Sequence, residues 1–429
     1  MYPEEVAARI LAYVEKRRKS LRDVATSFFT RNKELEFMKP VVRVITLGVL
    51  RNYIFLDYLL DSIGINVKRY SCLKKWLLRV ITYSLTLGRD KAKISRLKKI
   101  VDKMGIPTEI FSLKDIDYEN IRSNLVRTGR LHIAYSFPMW LLKYLQRARI
   151  PNLESFLKSL LRDPTTWLRV STHRIKSDNL IVLLRDEGFH VKKDKDLYDC
   201  LEVVKGSRGA LAKTKLYKLG YYVIQDKASI LTGHIVDVHN KNVLDVSAGA
   251  GLKTTHLAQL GAARVYAQDI SLSMLIDAVK LAKRLGLKER ILFIATDSSM
   301  YMPLRAMDKI NVVIIDPPCS GIGRMSLQPE LKLHLTKNML KELVRTQYRL
   351  INNIVKRARR GTKILYSTCT VTVEENEDIV KSFEREGYVE LLNQKPFIGS
   401  RSFIDTRIQR LYPHIHKTQG FTISLMEVV

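Results

Sequence analysis

The chain has 429 residues, enough for two or three domains of ordinary size. Its 73 Lys and Arg against 43 Asp and Glu leave a formal net charge of +30, a surplus that calls for a polyanion, an acidic membrane or another acidic partner. No run of about 18 apolar residues is free of charge, which excludes a helical membrane span. The four scattered cysteines (Cys72, Cys200, Cys319, Cys369) form no C-x-x-C pair and no histidines cluster at ligand spacing, so neither a disulfide framework nor a bound metal is expected.

The opening MYPEEVAARILAYVEKRRKS places its acids first and its bases last, the reverse of a secretory signal. It predicts a helix over 4–19 with Val6, Ala7, Ile10, Leu11 and Val14 on one face and charges that suit its dipole. A cytoplasmic chain is expected. Further helices are expected over 21–31, 41–63 and 73–87, then a break at 105–107, a mixed polar stretch and a domain boundary near 125. Residues 126–205 read as a small α/β unit: helical MWLLKYLQRARI and NLESFLKSLLRD, the strand TTWLRVST, the helix SDNLIVLLRDEG and the strand LYDCLEVVK. From 206 to 429, apolar strands at 242–247, 264–269, 291–296, 311–316 and 362–367 alternate with helices at 253–260, 273–285, 337–359 and 374–386. That alternation predicts a doubly wound, mostly parallel sheet with ligands beyond its carboxyl edge.

Three motifs lie at that edge. In NVLDVSAGAGLKTTHLAQL a buried strand runs into a turn of small residues, Ser247, Ala248, Gly249, Ala250 and Gly251, and then into a helix at Lys253. Small residues let a ligand approach the backbone closely. Asp269 closes the next strand 20 residues after Gly249, the spacing at which an acid meets ribose hydroxyls. Thr254 replaces the third glycine of the dinucleotide fingerprint, which leaves an adenosine ligand without a pyrophosphate. Asp297, after the third strand, is placed to meet an adenine amine. A plain structural turn is the bland alternative; the three strand-end acids Asp245, Asp269 and Asp297 count against it.

In VVIIDPPCSGIGR a strand ends at Asp316, and Pro317 and Pro318 hold Cys319 at its tip. In ILYSTCTVTVEENED a strand ends at Cys369, and Thr372 with Glu375 predicts a capping box for the next helix. A lone cysteine reads as a small buried hydrophobe, and Cys72 and Cys200 keep that reading. Two cysteines 50 residues apart, both at one sheet edge, suit nucleophilic chemistry.

The D-P-P-C-S-G-x-G at 316–323 and the S-T-C-T with E-E-N-E at 367–377 resemble the RsmB/Nop/Sun family of RNA cytosine carbon-5 methyltransferases. The resemblance extends to GYYVIQDKAS (Gln225, Asp226, Ser229), to RLYPHIHKTQGFTISLME as a closing strand, and to SFPMWLLKYL and TTWLRVSTHRI in the small preceding subdomain. GVLRNYIFLDYLL resembles the NusB-type helical domain of the RsmB branch. It implies a NusB-like RNA-binding domain at 1–125, an RRM-like subdomain at 126–205, and a Rossmann-like catalytic domain with a seven-stranded sheet at 206–429. S-adenosylmethionine would be the cofactor, held by residues 247–251, Lys253, Asp269, Asp297 and Asp316. Cys369 would attack carbon-6 of a flipped cytosine and Cys319 would expel the carbon-5 proton. Asp316 would hold the base edge, with Lys253 beside the base or cofactor. Arg324 matches an RNA-contacting position, whereas Leu333 replaces an aromatic residue.

One departure concerns the cofactor loop. The family's C-A-A-P-G-G-K-T stands here as Ser247 to Thr254, without the proline and with Leu252 for a glycine. Leu252 would crowd the methionine moiety if its φ were positive. Basic runs at 16–22, 91–99 and 356–363 are expected to meet phosphates, and the three tryptophans to be core. The expected partner is RNA, rRNA ahead of tRNA, and the protein a monomer. Two other readings remain: a non-catalytic RNA-binding ribosome-assembly factor that kept the fold, and a DNA cytosine methyltransferase, which would not need the second cysteine motif.

Overall fold

In the computed structural model, residues 1–88, 94–301 and 307–429 are described; residues 91–93 of the second basic run lie outside them. Two compact units emerge. The first gathers Met1–Gln146, Ile150–Asp163 and Arg324–Thr336. It is helical, built on Pro3–Arg17, Lys39–Ser62 and Cys72–Leu85, whose apolar faces close on Val6, Ile10, Leu11, Leu56, Leu59, Trp76 and Ile81. The late segment Arg324–Thr336 belongs here for a polar reason. Buried Lys332 donates to the carbonyls of Arg51 and Tyr135 and lies over the Phe137 ring, while Glu330 accepts from the Leu21 amide. No periodicity in a linear reading of 206–429 signals this excursion.

The second unit holds two sheets. The smaller is four-stranded and antiparallel in order β2-β3-β1-β4, with β1 Trp167–Val170, β2 His190–Lys193, β3 Cys200–Lys205 and β4 Tyr222–Ile224. The sequence pattern shows β1 and β3 but not β2, whose polar HVKK carries no apolar alternation.

The larger sheet has nine strands, not the seven expected. Five are parallel: β5 Asn242–Asp245, β6 Arg264–Asp269, β7 Ile291–Ala295, β8 Val312–Ile315 and β9 Lys363–Thr368, in order β9-β8-β5-β6-β7. The remaining four are β10 Val389–Leu392, β11 Ser400–Arg401, β12 Gln409–Leu411 and β13 Phe421–Val428. The extra count has a simple cause. One edge of the long β13 pairs with β9, and its other edge is shared end to end by β12 and β10. The family-like closing strand at 410–427 is therefore two strands interrupted by the turn Pro413–His416.

The order of strand addition reverses between the parallel neighbours β5 and β8, the topological switch point where such sheets bind ligands. The turn after β5 and the cysteine tips of β8 and β9 all lie at that carboxyl edge. The basic run at 356–360 precedes β9, at the opposite edge.

Two buried polar networks fix the elements around the site. Arg169 of β1, 0% exposed, donates to Gln225 Oε1 (2.8 Å), the Leu252 carbonyl (2.6 Å) and Thr255 Oγ1 (3.0 Å). It ties the small sheet to the first turn of the helix Leu252–Gln259. Asp199 accepts from His234 Nε2 and His256 Nε2, each at 2.8 Å on a different oxygen. The sequence shows no such cluster, because its members come from three elements. Their ligand atoms lie within 4.8 Å of one another. A metal-bound imidazole needs an acceptor for its second nitrogen, and buried His256 Nδ1 has none. The donor set therefore fits hydrogen bonding better than coordination.

Burial pushes the His256 imidazole down to about 4, against the pull of Asp199. The unfolded chain takes up this proton first, near 6.5. Stability from this group is complete above pH 6.5 and is lost as pH falls toward 4. The gap corresponds to about 3 kcal/mol. His256→Gln keeps a donor to Asp199 and cannot titrate. Its Tm deficit relative to the native protein is expected to shrink between pH 6.5 and 4 in scanning calorimetry; a constant deficit contradicts this. Asp245 and His416 titrate in the same range but in both proteins alike.

Candidate active site

The turn after β5 owes its shape to two glycines. Gly249 (φ 52°) and Gly251 (φ 80°) both take the left-handed region. A Cβ on Gly251 would lie 2.8 Å from Ala278 Cβ, so the turn packs on the helix Leu272–Leu285 only with glycine there. Leu252 does not crowd the turn: it opens the helix Leu252–Gln259 and packs toward the core, with no positive φ. Beneath the turn, buried Asp245 accepts from Thr254 Oγ1 (2.7 Å) and the Ser247 amide (3.3 Å). Burial raises its carboxyl to about 6. Asp245 thus braces the turn from below.

The other strand-end acids face outward. Asp269 accepts from the Gly249 amide and the Ser271 amide, both at 2.8 Å. Asp297 Oδ1 accepts from the Ser299 amide (2.9 Å) and hydroxyl (2.6 Å). Ile270, beside Asp269, is 71% exposed, an apolar side chain that the sequence reading passed over. Ser247 Oγ is buried without a partner. An unmatched hydroxyl, a glycine turn and two half-buried acids fit a nucleoside cofactor.

The cysteines meet. Cys319 Sγ lies 3.1 Å from Cys369 Sγ, and both are half-buried. The Cys319 thiol is pushed well above its usual range, first by the hydrogen bond to Cys369, then by burial and by the charges of Cys369, Glu375 and Asp316. Either sulfur can donate to the other, so the two thiols share one hydrogen bond. Beside them Lys253 pairs with Asp316 and lies over the Phe421 ring. Cys200 is buried as expected, whereas Cys72 is exposed, not buried, because it opens a helix and hydrogen-bonds Glu15 in the helical unit; neither joins the site.

Glu375 is the main residue whose part was misread. The capping box places it inside a helix, but that helix starts at Glu377 with Asn376 as its uncapped first flank. Thr372 Oγ1 does reach Glu375 Oε2 (2.7 Å), yet the carboxylate turns inward to the Cys319 loop. Arg410, fully buried, anchors the next acid in this stretch by pairing with Glu377 Oε1 at 2.6 Å. Arg324 and Leu333 lie in the segment that packs with the helical unit. Trp76 and Trp167 are core as expected, and Trp140 is half-buried, edge-on to Tyr144.

A parallel sheet with a glycine turn after its first strand and acids closing the next two defines the class as a doubly wound α/β fold suited to a nucleoside ligand. Comparison with known proteins narrows it. Residues 234–427 match the model of the 16S rRNA methyltransferase RsmB/F family, and residues 137–208 match the RsmF/B-like ferredoxin-like domain. The chain thus carries a methyltransferase domain of the RsmB/F family together with that family's ferredoxin-like domain. It is 25% identical to the probable ribosomal RNA small subunit methyltransferase B of Bacillus subtilis over 98% of both chains. It is 34% identical to the tRNA (cytosine(72)-C(5))-methyltransferase of Pyrococcus horikoshii over 51% of this chain, and it spans 56% of that relative. The fold is shared with the crystal structure of NSun6 from Pyrococcus horikoshii with SFG, at TM-score 0.61 and 23% identity, covering 68% of this chain and 98% of that one.

Proposed function

We propose that this enzyme forms 5-methylcytosine in ribosomal RNA by covalent catalysis through Cys369. The observation that carries the reading is the 3.1 Å approach of two cysteine sulfurs at the tips of adjacent strands, beside the Asp316–Lys253 pair. S-adenosylmethionine would be held by the turn at 247–251 with Asp269 and Asp297, the acids suited to ribose hydroxyls and an adenine amine. When bound, it supplies the methyl group. A structural neighbour solved with an analogue of it supports that choice.

The residues of this chain do the rest. Cys369, as thiolate, adds to carbon-6 of a cytosine taken out of its stack. The new C–S bond pushes ring electrons toward carbon-5, an otherwise poor nucleophile, which then takes the methyl. Asp316, fixed by Lys253, holds the base edge at its ring nitrogen and amine and stabilises the charge that builds there. Once Cys369 is bonded to carbon, the strongest cause of the high Cys319 pKa is gone. Cys319 can then give its own proton to solvent and, as thiolate, accept the carbon-5 proton. The C5–C6 double bond re-forms, and Cys369 leaves as thiolate.

The near full-length likeness to a small-subunit rRNA methyltransferase favours rRNA over tRNA. The +30 net charge suits a phosphate backbone. The proposal includes a NusB-type helical domain at 1–125, an RRM-like subdomain at 126–205, a catalytic domain at 206–429, a monomeric state and a cytoplasmic site of action. Among the described residues no helix is long and apolar enough to cross a membrane. Transfer of labelled methyl groups to transcribed 16S rRNA and tRNA tests the target. Methylated cytosine in the rRNA is expected; transfer to tRNA alone would overturn the rRNA assignment.

A further inference from the structure

We propose that Glu375, together with Gln347, is a positioning residue for Cys319, clamping the backbone on both sides of the sulfur and setting its proton affinity by charge. The inference rests on the release role given to Cys319 above. Cys319 lies between two anchored peptide groups. On its N-terminal side, Gln347 Nε2 donates to the Pro318 carbonyl (2.9 Å). On its C-terminal side, the Ser320 amide donates to Glu375 Oε1 (2.7 Å). Gln347 Nε2 also reaches Glu375 Oε1 (3.2 Å), which joins the two anchors. The Ser320 hydroxyl donates to Glu375 Oε2 at 2.6 Å and sits 2.8 Å from Thr370 Oγ1. Thr372 Oγ1 donates to the same carboxylate oxygen at 2.7 Å.

Each Glu375 oxygen therefore accepts two hydrogen bonds, and none of the four partners needs a proton from it. This is the environment of a carboxylate. Its own backbone is held as well, since the Tyr366 hydroxyl donates to the Glu375 carbonyl (2.7 Å). Glu375 and Gln347 are both 0% exposed, so neither contacts RNA or cofactor. All six side chains involved, Glu375, Gln347, Ser320, Thr370, Thr372 and Tyr366, are buried. Such a set is costly to maintain unless fully satisfied, and here its hydrogen bonds converge on one loop.

The charge has a direction. The charged and titratable groups acting on Cys319 are Cys369, Glu375 and Asp316, with Tyr366 behind them and Lys253 on Asp316. Glu375 and Asp316 remain once Cys369 has bonded to the base. They keep Cys319 a strong proton acceptor at the moment it must take the carbon-5 proton.

The experiment follows release and adduct in the full-length enzyme with transcribed rRNA. Glu375→Ala is expected to slow turnover at least about tenfold and to accumulate an RNA–protein adduct stable to denaturation, because Cys369 still attacks while Cys319 is misplaced. Glu375→Gln keeps an acceptor for the Ser320 amide but removes the charge. It is expected to move the limb of the pH profile that reports release to lower pH by roughly one unit. A merely structural residue would lower the rate without moving that limb. Gln347→Leu, which frees the Pro318 carbonyl and leaves the charge, should accumulate adduct with the limb unmoved. Native turnover and an unmoved limb in Glu375→Gln overturn the inference, even if Glu375→Ala does not fold. Cys319→Ala run in parallel separates the two levels. If it traps no adduct, the release role itself fails; if it traps adduct and the Glu375 and Gln347 variants behave as native, only the clamp fails.

Discussion

With Cys369 replaced by alanine, methyl transfer to RNA is expected to fall roughly 10⁴-fold or more, the scale on which loss of a covalent nucleophile is felt. The expectation follows from the covalent role proposed for Cys369. Both sulfurs stand at strand tips 3.1 Å apart. The Cys319 thiol is raised first by its hydrogen bond to Cys369, then by burial and by the charges of Cys369, Glu375 and Asp316, which suits a group that takes up a proton. Alanine at 369 leaves the Glu375 clamp, the Asp316–Lys253 pair and the cofactor turn in place, so RNA and cofactor binding should change little. Single-turnover transfer of labelled methyl groups, with RNA affinity measured alongside, checks this. Activity of Cys369→Ala near the native level would exclude covalent attack by Cys369.

Cys319→Ala is expected to behave in the opposite sense. Adduct formation depends on Cys369 and survives, while loss of the carbon-5 proton has no acceptor in place. Product release should fall by about 10²-fold or more, as for removal of a positioned acid–base group. A protein–RNA species that resists denaturant should accumulate, visible as a shifted band on a denaturing gel. The double variant Cys319→Ala/Cys369→Ala should show no such band. A band in the double variant, or none in Cys319→Ala, contradicts the division of roles.

Much of the catalytic half was legible in the sequence because its elements obey simple periodicities. The strands ending at Asp245, Asp269, Ile315 and Thr368 lie within a residue or two of the apolar runs that signal them. Buried parallel strands read as uninterrupted Val, Ile and Leu, and the strand tips then fall where Cys319 and Cys369 stand. What was not legible depends on tertiary choices. Residues 324–336 follow the Cys319 loop in sequence, yet Lys332 and Glu330 find their partners in the helical unit. The division of one β13 edge between β10 and β12 leaves no mark in either short strand. Asp199, His234 and His256 are unremarkable one by one, and only folding brings them together.

The two local misreadings have different causes. Leu252 in a glycine's place suggested strain, but the turn places its positive φ at Gly249 and Gly251 and begins the helix at Leu252. Thr372 and Glu375 match a capping pattern, but Ser320 competes for the same carboxylate and wins it for the Cys319 loop. In the second case a local rule yielded to a neighbour 55 residues away in sequence.

The most direct test of the account uses rRNA containing 5-fluorocytosine, whose carbon-5 cannot release a proton and so arrests the enzyme after attack. Peptide mapping of the arrested complex by mass spectrometry identifies the residue bonded to the base. The account predicts that residue to be Cys369. A nucleotide found on Cys319, or an enzyme that fails to form the complex while binding the RNA, would contradict it.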